Sequence, residues 1–180
     1  MLEYEMTDLN TKQINAIRNA MKLDGLNAID RDTLDDMIDI KNSADQQVVL
    51  FVDGASDLHS KTAGIGGVVY LNDQELACFS EPLFDKTNNE AEYLSLIKGI
   101  KVVCNLNFTN VKIYADSELV VKQVLGIYKV KNERMKNLHA QVLSELQKTN
   151  EWSISHVRRE KNTRADELSK IGLEKARSEK

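Results

Sequence analysis

Apolar residues along this chain follow two rhythms. Val48, Val49, Leu50, Phe51 and Val52 run unbroken into Asp53 and the small residues of "DGAS", the mark of a short buried strand near 48–53 ending at a turn. A glycine-rich strand near 64–71 and a third near 74–80 follow, joined as a hairpin through "LNDQ". From about 88 to 104 the rhythm turns helical, with Leu94, Ile97 and Ile100 on one stripe and Tyr93 and Leu96 close to it. A strand at 111–115, helices near 117–126 and 132–148, a strand at 152–157 and a final helix from about 162 to 173 complete this part. Ahead of it, Ile14, Ile17 and Met21 within 8–22, and Leu34, Met37 and Ile38 within 31–41, predict two short helices before the polar linker "KNSADQQ". Three strands in series followed by alternating helices and strands predict an α/β fold. The expectation is a five-stranded mixed sheet flanked by helices, with a small N-terminal α-helical hairpin.

Charge divides the chain at the same linker. Residues 1–46 hold ten acids and five bases, a net of -5, and the whole-chain value of -4 leaves +1 for residues 47–180. We therefore expect two parts: an acidic helical extension over 1–46 and a main domain over 47–180. The 42% apolar content of 180 residues suffices for one good core and a small appendage. No apolar run approaches a membrane span, and "MLEYEMTDLN" is acidic where a secretory signal is basic, so a cytoplasmic protein without membrane contact is expected. Cys78 and Cys104 lack metal-type spacing and read as reduced, half-buried packing residues. His59 and His139 read as surface residues, and His156 as a structural residue of the last strand.

The candidate chemistry is acidic. Asp116 in "KIYADSELVVKQV" ends one strand and Asp53 ends another, so two acids can face one crevice at a sheet edge, where open sheets gather their ligands. Each alone is more often a helix cap or a turn residue, and Ser117 is an equally good cap. In "TNNEAEYLSLIKGI" Glu92 lies on the inner side of the helix, while Glu90, nearer the amino end, competes as a simple complement to the helix dipole. In "NTRADELSKIG" Asp166 shares a face with Ala165, Leu168 and Ser169, and Glu167 points elsewhere.

The segments "FVDGAS", "TNNEAEY", "YADSELVVKQ" and "HVRREKNTRADEL" resemble, in order and in their structural context, ribonuclease H of type 1 across residues 47–173. The resemblance implies the ribonuclease H-like fold, four metal-binding catalytic carboxylates at Asp53, Glu92, Asp116 and Asp166, and hydrolysis of the RNA strand of RNA/DNA hybrids to 5'-phosphate and 3'-hydroxyl ends. It favours Glu92 over Glu90 because Glu92 falls three residues after Asn89. Carboxylates without Cys or His suit hard cations, so two Mg²⁺ ions about 4 Å apart are expected, with Mn²⁺ as the alternative.

The resemblance also assigns substrate contacts. Asn88 and Asn89 would read the minor groove, Thr87 would hold a DNA phosphate, and Gly54 to Ser56 would lie along the RNA backbone, with Ser117 and Asn162 beside them. Lys129 and Lys131, with Arg134 and Lys136, would attract phosphate without regard to sequence. Double-stranded RNA is a second candidate substrate. "HVRREKNTRAD" is too compact for the histidine-bearing loop of many relatives, and the basic segment is reduced to "YKVKNERMK". A 3'-5' exonuclease, integrase or resolvase of the same superfamily, or a module whose metal site has decayed, are the competing readings. Residues 1–46, with Tyr4 as their one aromatic, offer no stacking platform for a hybrid and are expected to contact a second copy, another protein or the main domain.

Overall fold

Alternation sets the sheet. In the computed structural model, Val48, Leu50 and Val52 of β1 (Gln47–Asp57) are buried while Val49 and Phe51 between them are half-buried, so the strand is covered on one face and partly open on the other. β4 (Asn110–Ala115) repeats this with Val111, Ile113 and Ala115 inward. β2 (Thr62–Leu71), β3 (Gln74–Phe84) and β5 (Glu151–His156) complete a sheet of order β3-β2-β1-β4-β5, antiparallel across β1, β2 and β3 and parallel across β1, β4 and β5. The β2–β3 hairpin turns on Asn72 and Asp73, both at positive φ, as a tight hairpin turn requires.

The structure describes residues 46–180 and, in the front part, residues 16, 17, 19–22, 25–31, 33 and 34. The chain divides into two units, Met1–Gln46 and Gln47–Lys180. In the front unit residues 16, 17, 19, 20, 28–31, 33 and 34 are helical, Asn27 caps through Asp30 (2.8 Å), and Arg31 donates to the Met21 carbonyl (2.6 Å). Ile17, Met21 and Leu34 are half-buried; Leu9, Ile14, Met37 and Ile38 lie outside the described residues. Among the described residues no helix is long and apolar enough to cross a membrane.

Helices cover the sheet on both faces. α1 (Asn88–Asn105) buries Tyr93, Leu96, Ile97, Ile100 and Val103 against the inward side chains of β1, so the core stripe centres on Tyr93, Leu96 and Ile100, and Leu94 is only half-buried. α2 (Glu118–Val124) and α3 (Glu133–Leu146) add Val120, Val121, Val124, Val142 and Leu146 to the same core. α4 (Thr163–Ser178) lies on the opposite face, across β2 and β3.

Three expectations are corrected here. β1 does not turn after Asp53: it stays paired with β2 through Asp57↔Thr62, because Gly54, Ala55 and Ser56 are small enough to run beneath the helices. α4 does not stop near 173 but continues to Ser178, since Leu173 and Ala176 are buried within what looks like a charged tail. His139 is not a surface residue; it is half-buried, its Nε2 lies 3.0 Å from the Gln123 carbonyl, and its ring meets Tyr93 edge-on. Exposure also differs from expectation at Cys78, which is exposed on the edge strand, whereas His156 is, as expected, a residue of the last strand.

Close backbone approach fixes α4. A methyl group on Gly66 would lie 2.2 Å from the Ser169 nitrogen and 2.6 Å from the Leu168 carbonyl carbon. Gly66→Ala should therefore lift the helix and cost on the order of 3 kcal/mol, a fall in Tm of about 10 °C. A thermal melt within about 2 °C of wild type would show that α4 can shift freely.

Candidate active site

Three elements each deliver one acid to the same point. Asp53 lies on β1 just past the last residue paired with β4, Val52↔Ala115, so it sits where the parallel part of the sheet ends. Asp116 follows β4 directly and lies beside it. Ser117, not Asp116, caps α2 by accepting from the Val120 N–H (3.4 Å), which leaves the Asp116 carboxylate free of that duty. Glu92 enters from α1, whose backbone presses so closely on β1 that a methyl group on Gly54 would lie 2.4 Å from the Ala91 carbonyl carbon and the Glu92 nitrogen. Among the described residues, one carboxylate oxygen from each of Asp53, Glu92 and Asp116 lies within 4.8 Å of the others.

The fourth acid is adjacent but engaged. Asp166 Oδ1 accepts from Arg159 Nε (2.8 Å) and Nη2, and Oδ2 from Lys170 Nζ. Burial pushes the Asp166 carboxyl up, but Lys170 and Arg159 outweigh it and hold it below the usual range. Ser169 joins this acid to the cluster: its hydroxyl donates to Asp53 Oδ2 in a short hydrogen bond and lies 2.9 Å from the Asp166 carbonyl. In the sequence Ser169 stands out only as a face-mate of Asp166; the signal is its spacing of three residues on one helical face.

Like charges brought together out of water resist ionising. Burial, with Asp53 and Asp116 close by, pushes Glu92 up to about 9, against a lowering contact from the Gly54 N–H. Burial and the neighbouring Asp116 and Asp166 bring Asp53 to about 6, although the Ser169 hydroxyl pulls it down. Glu92 Oε2 is buried without a hydrogen-bond partner. A crowded carboxylate set with an unsatisfied oxygen serves no packing purpose, and it fits hard divalent cations, which take carboxylate oxygens.

Glu90 does other work. Its carboxylate accepts from the Thr87 N–H (3.0 Å) and hydroxyl (2.8 Å) while Thr87 Oγ1 accepts from the Glu90 N–H, a reciprocal capping box at the start of α1. Thr87 being the cap, Asn88 and Asn89 are left exposed on the first turn. Gly54 is buried with its N–H directed at Glu92, and Ser56 is half-buried. Asn162 is only 1% exposed and donates to the Val52 carbonyl (2.9 Å), so it ties the start of α4 to β1. Lys129 and Lys131 are exposed between α2 and α3.

Residues 51–172 match the model of the reverse transcriptase-like family. The chain belongs to this family, and its main unit is a ribonuclease HI-like domain. Ribonuclease HI of Halobacterium salinarum is 30% identical over 72% of this chain and 66% of its own length. The bifunctional protein Rv2228c of Mycobacterium tuberculosis is 35% identical over 72% of this chain, which spans 36% of that longer protein. The solved N-terminal ribonuclease H domain of Rv2228c superposes with a TM-score of 0.71 at 32% identity, over 74% of this chain and 98% of that one. LC11-RNase H1, solved in complex with an RNA/DNA hybrid, gives a TM-score of 0.68 at 31% identity, over 72% of this chain and 98% of that one. The sheet order and the flanking helices described above are therefore those of the ribonuclease H fold.

Proposed function

We propose that this ribonuclease HI-like chain is an endonuclease that hydrolyses the RNA strand of RNA/DNA hybrids with Mg²⁺, leaving 5'-phosphate and 3'-hydroxyl ends. The observation that carries the reading is the convergence of Asp53, Glu92 and Asp116 within 4.8 Å at the end of the parallel strands. These three, joined by Asp166 once it parts from Arg159 and Lys170, would hold two ions; Mn²⁺ would fit the same oxygens. When bound, the metal neutralises charge on the scissile phosphate and activates water for attack. The chain's own residues do the rest. Ser169 fixes the rotamer of Asp53, the Gly54 N–H orients Glu92, and the Thr87–Glu90 box holds α1 so that Asn88 and Asn89 face outward where a minor groove can lie. Lys129 and Lys131 add sequence-blind attraction to phosphate. A relative solved with an RNA/DNA hybrid supports the substrate class. Residues 1–46, at a net of -5, repel phosphate and are assigned no hybrid contact.

The test is incubation of a labelled RNA/DNA hybrid with Mg²⁺, in parallel with double-stranded RNA, double-stranded DNA and single-stranded RNA, each repeated with chelator. Cleavage confined to ribose strands, strongest on hybrid and lost with chelator, is expected. Cleavage of double-stranded DNA in preference to hybrid would favour a resolvase or integrase type, and no cleavage at all a binding module.

Recognition has its own check. The Asn88→Ala, Asn89→Ala double variant should raise KM for hybrid several-fold and leave kcat near wild type, because these amides face outward and hold no carboxylate. Glu90→Gln, which keeps an acceptor for the Thr87 cap, should remain active. A dead Glu90→Gln beside an active Glu92→Gln would exchange the two assignments.

A further inference from the structure

The face of the sheet that carries Asp53 also carries a groove that the proposed chemistry leaves unused. Side chains two residues apart on a strand share a face, about 7 Å apart along the strand. Phe51 therefore precedes Asp53 by two residues on β1, and Tyr114 on β4 precedes Asp116 by two, so both rings lie behind the acids. Between them and the start of α4 runs a groove of about 470 Å³, lined by Val49, Phe51, Tyr70, Tyr114, Lys161 and Asn162. Phe51 and Tyr114 stack at 5.0 Å, and Tyr70 meets Phe51 edge-on at 6.0 Å. These three rings are half-buried rather than sealed, an open aromatic platform on a sheet.

The polar fittings are as specific as the rings. Among the described residues Lys161 is in no ion pair, whereas Arg164 beside it is neutralised by Glu75 (3.2 Å) and Glu167 (2.8 Å). Lys112 Nζ rims the platform 5.3 Å from the Tyr114 ring centre, and Asp73 in the β2–β3 turn sets an acid against the far end. Asn162 donates to the Val52 carbonyl from below, and its Oδ1 is fully buried without a partner. The groove thus offers a flat π-surface with an unpaired cation, Lys161, and an acid, Asp73, in its lining. A volume of this size is that of a small-molecule site, roughly 300–1,000 Å³.

We propose that this groove binds an unpaired nucleobase, its face on Tyr114 and Phe51 and its phosphate at Lys161. Aromatic faces accept any base, and a lysine accepts any phosphate. Two sources share this chemistry, a free nucleotide and the single-stranded end of a longer nucleic acid. The approach of the groove to Asp53 and Asp116 favours a strand end that runs off the cleavage site, and in that respect the proposal rests on the nuclease reading.

Binding of the full chain in chelator, where no cleavage occurs, tests it by fluorescence anisotropy with a blunt RNA/DNA hybrid, the same hybrid carrying a four-nucleotide RNA tail, and the free tetranucleotide. Adenosine monophosphate is titrated separately while the tyrosine ring signals are followed by NMR. The tail should tighten binding about tenfold. Tyr114→Leu and Lys161→Glu should each remove most of that gain with Tm held near wild type, and Tyr114→Trp should keep it. Ring shifts with the monophosphate but no gain from the tail would assign the groove to free nucleotides. No gain from the tail, no binding of the tetranucleotide and no ring shift, or a full gain in a folded Tyr114→Leu, overturns the proposal. Cleavage of blunt hybrid in Mg²⁺ is read independently, so if the nuclease reading fails, tetranucleotide and monophosphate binding still decide whether the groove holds a base.

Discussion

Asp53→Asn should lower the rate of hybrid cleavage by a thousandfold or more while the protein stays folded, and Asp116→Asn should do the same. The size of the loss follows from what the acids hold: removing a ligand of a metal that stabilises transition-state charge costs at least as much as removing one preorganised hydrogen-bond donor, about 10²–10³ in kcat. The fold should survive for reasons visible at each residue. In Asp53→Asn the new amide would retain an oxygen to accept from the Ser169 hydroxyl, and Asp116 performs no capping, since Ser117 does. Each substitution also removes one of three crowded carboxylates, so metal-free stability should stay level or rise. Steady-state cleavage of a labelled hybrid and a thermal melt in chelator check both halves. Retention of more than about a tenth of the wild-type rate would remove that residue from the site.

Glu92 and Asp166 lie inside helical patterns and rested on the resemblance, whereas Asp116 and Asp53 were legible as candidates because each sits where a pattern changes: Asp116 between strand alternation and helical spacing, Asp53 after a run of five apolar residues. Element order was legible for the same reason, and the mixed five-stranded sheet follows it. What sequence hid were contacts between elements distant in the chain. "GAS" reads locally as a turn, yet Gly54 is small because α1 lies 2.4 Å from where its side chain would be, which no local rule encodes. The bond from Ser169 to Asp53 spans 116 residues, and the reach of Asn162 to Val52 spans 110. His139 looked like a surface residue on an amphipathic helix because its partners, Tyr93 and the Gln123 carbonyl, belong to two other helices. Nothing local in the sequence ties Arg159 to Asp166; only the fold shows that it holds that acid together with Lys170.

Glu92→Gln should abolish cleavage and at the same time make the metal-free protein more stable at alkaline pH. Glu92 is buried beside Asp53 and Asp116, and its carboxyl is raised from 4.5 to about 9, so the folded protein binds that proton more tightly than the unfolded chain does. A group raised in the fold leaves stability intact below its unfolded pKa and erodes it as pH climbs toward the folded value. The Tm of the metal-free protein should therefore fall between pH 5 and pH 9, with Asp53, raised from 3.8 to about 6, adding to the acid end of that decline. Glutamine carries no charge to penalise, so Glu92→Gln should flatten the profile and melt about 5 °C above wild type at pH 8. Mg²⁺ should reverse the difference. It binds the ionised set, so at a hundredfold excess over Kd it should stabilise wild type at pH 8 by about 2.7 kcal/mol, far less at pH 4, and hardly at all in the variant. Both outcomes are read from melting curves across pH with and without Mg²⁺. A wild-type Tm that is flat from pH 5 to 9 in chelator, or equal stabilisation of both proteins by Mg²⁺, would show that Glu92 neither carries the buried proton nor meets the metal.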